Sequence, residues 1–84
     1  MGDVRAVVEV VARALADQPE AVTVTESEHR GTRVVEVYMA PGDLGRIIGR
    51  QGRTAQAVRT LAAAAADGDS RTVQVEFRDG APPR

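Results

Sequence analysis

Apolar residues recur along this chain with two different periods, and the switches between them divide it into helix, strand, strand, helix, helix, strand. From the N-terminus, Val4, Val7, Val8, Val11 and Leu15 follow the spacing i, i+3, i+4, i+7, i+11 of one helical face. The run Val7-Val8-Glu9-Val10-Val11 alone would also suit a strand. The length of the stripe and the Glu9/Arg13 pair at i, i+4 favour a helix, and Pro19 marks its exit. The period then drops to two. Val22 and Val24 alternate with Thr23 and Thr25, and Val35, Val37 and Met39 alternate with Val34, Glu36 and Tyr38. Between these strands lies His29-Arg30-Gly31-Thr32, whose glycine suits a hairpin connection, so the pair is expected to be antiparallel.

Pro41-Gly42-Asp43 closes the second strand and places Asp43 to cap a short helix from Leu44, with Ile47 and Ile48 directed into the core. A turn, Gly49-Arg50-Gln51-Gly52, separates it from a helix running from Arg53 to about Ala66. A 100° projection of that helix buries Val58, Leu61, Ala62 and Ala65 and turns Arg53, Gln56 and Thr60 outward. Asp67-Gly68-Asp69-Ser70 terminates it. Val73, Val75 and Phe77, alternating with Thr72, Gln74 and Glu76, form the third strand, which buries Phe77. The reading is one α+β domain over residues 1–79 with a flexible tail at 80–84.

The turn between the two central helices carries the functional signal. Glycines at both ends allow a tight reversal and close backbone approach to a ligand, and main-chain N–H groups at the following helix N-terminus suit phosphate. The net charge of −1 gains meaning once it is divided: residues 1–42 hold four arginines and seven acids, residues 43–66 hold four arginines and Asp43 alone, and residues 67–84 hold three arginines and four acids. Positive charge therefore collects around the turn, as for local phosphate contact, although a solvated helix face can be basic for no such reason. All eleven basic residues are arginine.

Composition excludes much else. No cysteine is present, and His29, the one histidine, lies in the hairpin turn as a solvated side chain. Glu26 and Glu28 share a strand face and imitate a metal pair, but read better as charges that discourage strand addition. Neither a metal site nor a cofactor is expected. No nucleophile–base pair or phosphate-loop lysine occurs, so the chain is not read as an enzyme and no small-molecule substrate is expected. Acids and arginines interrupt the apolar N-terminal stretch, unlike a signal peptide or membrane span, and a cytoplasmic protein is expected.

The element order, with Gly49-Arg50-Gln51-Gly52 between two helices and Ile47-Ile48 before it, resembles the type II KH domain. Asp43, Gly45, Ile48, Gly49, Arg50, Gln51, Gly52, Arg53, Ala57 and Arg59 stand where the KhpA family of small bacterial single-KH RNA-binding proteins places its signature. Gly42-Asp43-Leu44-Gly45 also matches Gly-x-x-Gly, but it follows a strand and carries an acid, so it is read as a strand exit and helix cap. The resemblance implies a three-stranded sheet packed against three helices. It also implies a groove that clamps about four nucleotides of single-stranded RNA with low sequence specificity. Arg46, Ile48, Gly49, Arg50, Gln51, Gly52 and Arg53 would form the site, with bases resting on Ile47 or Ile48 and Val34. Few phosphate contacts and little aromatic surface imply weak binding. Ala57, Thr60, Ala63 and Ala64 offer a flat, weakly charged face for a second copy, or for a KhpB-type multi-domain KH protein. The family is associated with RNA chaperoning, cell-wall growth and cell shape. The alternative is a protein-interaction subunit acting mainly by dimerisation through the third helix.

Overall fold

The computed structural model describes residues 3–49, 52–66 and 73–83; Arg50, Gln51, the expected helix terminator at 67–70 and Thr72 lie outside them. Its elements follow the expected order: α1 (Val4–Leu15), a 3-10 turn (Pro19–Ala21), β1 (Thr23–His29), β2 (Thr32–Met39), α2 (Pro41–Ile48), α3 (Arg53–Ala65) and β3 (Val73–Asp79). Asp3 caps α1 by accepting a bond from the Ala6 N–H at 3.2 Å. The fold is α+β: a three-stranded sheet in the order β1-β2-β3 with three helices sharing one core with it.

β1 and β2 form the antiparallel hairpin, in register from Thr23 opposite Tyr38 to His29 opposite Thr32. Only Arg30 and Gly31 turn the chain, with φ of +54° and +81°. Positive φ at both central residues is the two-residue turn whose twist matches that of the flanking strands. β3 pairs with β2 in parallel, from Arg33 opposite Val73 to Met39 opposite Asp79, and the Gly80 N–H adds a bond to the Met39 carbonyl at 2.9 Å.

Val24, Val35, Val37, Met39 and Val75 supply the sheet's side of the core, and Val4, Val8, Ala12, Ile47, Ala55, Val58 and Ala62 supply the helices' side. Two helical stripes differ from expectation. In α1 the covered row is Val4-Val8-Ala12, and Leu15, in the last turn, stays 41% exposed. In α3 the row is Ala55-Val58-Ala62, which leaves Leu61 45% exposed and Ala65 half-buried. α1 and α3 pack on one another, and Ala12 and Ala62 are both wholly covered. Small residues permit close approach, and that approach sets the rotation of α3 more than its largest apolar side chain does. The aromatics also depart from the reading: Tyr38 is buried and Phe77 only half-buried.

Asp43 is not a helix cap. α2 begins earlier, with Ala40 as N-cap and Pro41 in the first turn, so Gly42-Asp43-Leu44-Gly45 lies within the helix. The Asp43 carboxylate is instead buried, accepting from the backbone N–H groups of Asp17 and Gln18 at 3.0 Å each and from Arg46 Nη2 at 3.0 Å. It ties the chain leaving α1 to the start of α2. These bonds, the Gln18 and Asp17 N–H groups first and Arg46 after them, hold its pKa below the usual carboxylate value against the opposing effect of burial.

A depressed native pKa stabilises the fold above the unfolded value of about 4, and that contribution is lost as pH falls through the lower native value. Asp43→Asn is therefore expected to melt below the parent at pH 7. The gap between their melting temperatures should narrow as pH is lowered from about 4 toward 2. Thermal unfolding followed by circular dichroism across that range checks it; a gap independent of pH would remove the carboxylate's charge from the account.

Candidate nucleic-acid interface

α2 ends in a backbone arrangement that needs glycine twice, for different reasons. The Gly49 N–H closes the helix onto the Gly45 carbonyl at 2.8 Å, and a Cβ built on Gly49 would stand 2.9 Å from that same oxygen. Gly49 has φ −61°, so the obstacle there is contact alone. Gly52 presents the opposite case. It has φ +71° and ψ 18°, in the left-handed region, and a Cβ there would meet nothing within 4 Å. Its N–H donates to the Gly49 carbonyl at 3.2 Å, bringing the two glycines together.

α3 starts directly from this turn. Gly52 offers it no side-chain cap, its first turn holds no acid, and Arg53 is exposed at its first position. The leading N–H groups of a helix lack intrahelical partners and sit at the positive end of its dipole. An uncapped, basic helix start attracts an anion. Ile48, half-exposed at the last position of α2, borders it with an apolar side chain, whereas Ile47 is buried.

Arg46 has structural partners. Its Nη2 donates to the Leu15 carbonyl at 3.1 Å and to Asp43 Oδ1 at 3.0 Å, and Nη1 lies 3.5 Å from Asp17 Oδ2. The guanidinium clamps α2 to the end of α1, beside a concavity lined by Leu15, Arg46, Ile47, Gly49 and Thr54. Thus Ile48, Gly49, Gly52 and Arg53 meet at one end of the fold, with Arg46 engaged nearby and Arg50 and Gln51 outside the described residues.

A second concavity, about 680 Å³, lies between α3 and β3 and is lined by Gln56, Arg59, Thr60, Ala63, Ala64 and residues 73–76 of β3. β3 is an edge strand, so one side of its backbone is unpaired by the sheet and borders this groove. Arg59 spans the gap: its Nε donates to the Val75 carbonyl at 3.3 Å, and its guanidinium carbon stands 5.5 Å from the centre of the Phe77 ring. The Thr60 hydroxyl turns back to its own helix, donating to the Gln56 carbonyl at 3.0 Å.

The floor therefore differs from the one expected. Strand alternation places Val34 with Glu36 and Tyr38, on the opposite side of the sheet from the core residues Val35, Val37 and Met39, so Val34 cannot join Ile48 under a base. The groove beside α3 is instead walled by Ala63, Ala64 and residues 73–76 of β3. Arg59, which stands in the signature but not in the expected site, lines this groove together with the β3 edge. Tyr38 offers no open ring; its hydroxyl donates to Glu36 Oε1 at 3.3 Å, and burial first, then the Glu36 charge, raise its pKa. Among the described residues no three His, Cys, Asp or Glu side chains gather as for a metal; Glu26 pairs with Arg33 at 3.1 Å. No described helix is long and apolar enough to cross a membrane.

The sequence profile of the family described as KhpA/KhpB, KH domain, matches residues 5–77. The chain is 46% identical over 70 residues to RNA-binding protein KhpA of Caldanaerobacter subterraneus subsp. tengcongensis, covering 83% of this chain and 93% of that protein. It is 46% identical over 69 residues to RNA-binding protein KhpA of Leifsonia xyli subsp. xyli, covering 82% and 88%. With RNA-binding protein KhpA of Halalkalibacterium halodurans it shares 39% over 75 residues, covering 89% and 99%.

The two glycines are expected to fail differently. Gly52→Val forces a β-branched residue into the left-handed region and should cost about 1–3 kcal/mol, whereas Gly52→Asn, which tolerates that region, should cost less. Gly49→Ala meets a backbone oxygen, so any Cβ there should lower the melting temperature. Urea unfolding of the three variants checks the order; equal stability of Gly52→Val and Gly52→Asn would contradict it.

Proposed function

The chain belongs to the KhpA/KhpB KH-domain family, and from that membership we propose that it binds single-stranded RNA through the Gly49–Gly52 turn and the groove beside α3, acting as an RNA chaperone in the bacterial cytoplasm. The observation that carries this reading is the uncapped start of α3, led by Arg53 and reached through a turn that favours glycine by contact at Gly49 and by positive φ at Gly52. Phosphate oxygens meet the main-chain N–H groups that open α3 from Arg53, the Gly52 N–H being engaged by the Gly49 carbonyl, and Arg50 and Arg53 add charge-assisted bonds. Ile48 gives the bound strand an apolar contact at the rim. Arg46 keeps α2 in place, and its charge is already balanced by Asp43 and Asp17.

Backbone contacts position the strand without reading its sequence, so specificity is low. With two to four phosphate contacts, binding is weak and falls with salt at a slope of about −0.7 per contact. A second copy, or a KhpB-type multi-domain KH protein, raises avidity without new base contacts and links the chain to cell-wall growth and cell shape.

The alternative, a subunit that works mainly through protein association by α3, draws support from Leu61. This residue is 45% exposed beside Ala57 and Ala64, at i−4 and i+3 on the same helix face. Ala57 and Leu61 lie outside the groove lining, whereas Thr60, Ala63 and Ala64 form part of it. An association face on α3 thus adjoins the RNA groove along Ala64.

Two experiments separate the readings. Replacing Arg50 and Gln51 with Asp changes the charge of the turn by about −3 and should abolish RNA binding in a titration while circular dichroism stays native. Unchanged affinity would move the interface elsewhere. Leu61→Arg should dissociate any self-association or KhpB-type complex in sedimentation velocity and leave unaltered a titration with an RNA short enough to occupy one groove. A wild type that sediments as a monomer alone and with such a partner would remove this face from the mechanism.

A further inference from the structure

Resting on that RNA-binding reading, we propose that Arg59 is a specificity-determining residue, reading one base of the bound strand by its edge and favouring bases with two adjacent hydrogen-bond acceptors. Backbone contacts at the turn cannot discriminate among bases, Tyr38 is buried, and the half-buried Phe77 ring has the Arg59 guanidinium over it. Arg59 differs from the other arginines of the site in where it lies and how it is held. It lines the groove between α3 and the β3 edge, beyond the phosphate-binding helix start, where a base of a strand held at the turn would descend. Its Nε is pinned to the Val75 carbonyl at 3.3 Å and its guanidinium carbon lies 5.5 Å from the Phe77 ring centre. Among the described residues it pairs with no carboxylate, unlike Arg5, Arg13, Arg33, Arg46 and Arg78.

A guanidinium held by Nε keeps its two Nη groups as donors with a fixed in-plane orientation, and much of the entropy of ordering that side chain is lost before a ligand arrives. Two such donors match two neighbouring acceptors. Guanine provides them at N7 and O6, and cytosine, unpaired in a single strand, at N3 and O2. Adenine sets a donor beside each acceptor on its reading edges, and uracil places the N3–H donor between its two carbonyls, so neither satisfies both Nη groups. Ala63 and Ala64, the smallest side chains the groove wall can present, leave room for a base to lie flat beside the fork.

The test uses fluorescence anisotropy with the full chain and labelled oligouridylates of eight nucleotides, either unsubstituted or carrying a single central G, C or A. Wild type should bind the G or the C oligomer at least about fivefold more tightly than the A and U ones. Arg59→Lys keeps the charge but presents one point donor, so the G- or C-bearing oligomer should lose more affinity than the all-U one and the ranking should collapse. Two wild-type arms identify the base and do not depend on the variant folding. Replacing G with 7-deazaguanosine, or C with 3-deazacytidine, removes one acceptor and should abolish the preference that base conferred. Equal wild-type affinity for all four oligomers, a ranking retained in folded Arg59→Lys, an equal loss for every oligomer, or indifference to the deaza bases would each overturn the proposal. Failure of wild type to bind any oligomer would instead defeat the RNA-binding reading on which it rests.

Discussion

β2 and β3 lie side by side and run in the same direction, and most of the site follows from that pairing. Antiparallel neighbours can be joined by two residues, as Arg30 and Gly31 join β1 to β2, but parallel neighbours require the chain to travel back along the sheet before pairing again. Here two helices make the return, and the break between them falls at one end of the fold. The break is tight enough to demand glycine at Gly49 for contact and at Gly52 for φ. The return also leaves β3 at the sheet edge with α3 beside it, which makes the groove. The glycine turn and the groove beside α3 are two results of one topological requirement.

Asp43 supports this arrangement from beneath. By accepting two backbone N–H groups from the α1 exit and a bond from Arg46, it fixes where α2 starts and therefore where α2 must end. The excess of arginine over acid around the turn is correspondingly less uniform than its count implies. Arg46 belongs to the Asp43 and Asp17 cluster, so part of that excess is already balanced within the fold.

Features encoded locally were legible in the sequence. The order of elements, the hairpin and the special backbone at Gly52 each depend on a few neighbouring residues whose periodicity or conformational freedom is plain. What escaped depends on long-range geometry. Asp43 looked like a cap because it precedes an apolar run, yet its bonds reach back to residues 17 and 18. α3 is so rich in alanine that Val58 and Leu61 dominate any projection of it, and the projection followed Leu61, whereas close approach to α1 rotates the helix toward Ala55 and Ala62. The β3 side of the groove has no local signature, because a strand's sequence does not reveal that it will lie at an edge beside a particular helix.

The alanine row that lets α3 approach α1 also sets how firmly α3 is held. Its buried positions are Ala55, Val58 and Ala62, so two of the three contribute a single methyl each, at about 0.8 kcal/mol per carbon removed from water. The sheet is anchored by Val24, Val35, Val37, Met39 and Val75 and by two full ladders of hydrogen bonds. Local opening free energies follow buried apolar contact, so the amides of α3 should exchange with solvent through openings that leave the sheet intact. One wall of the groove then belongs to a less firmly anchored unit than the sheet, and the groove can widen at a fraction of the free energy of global unfolding.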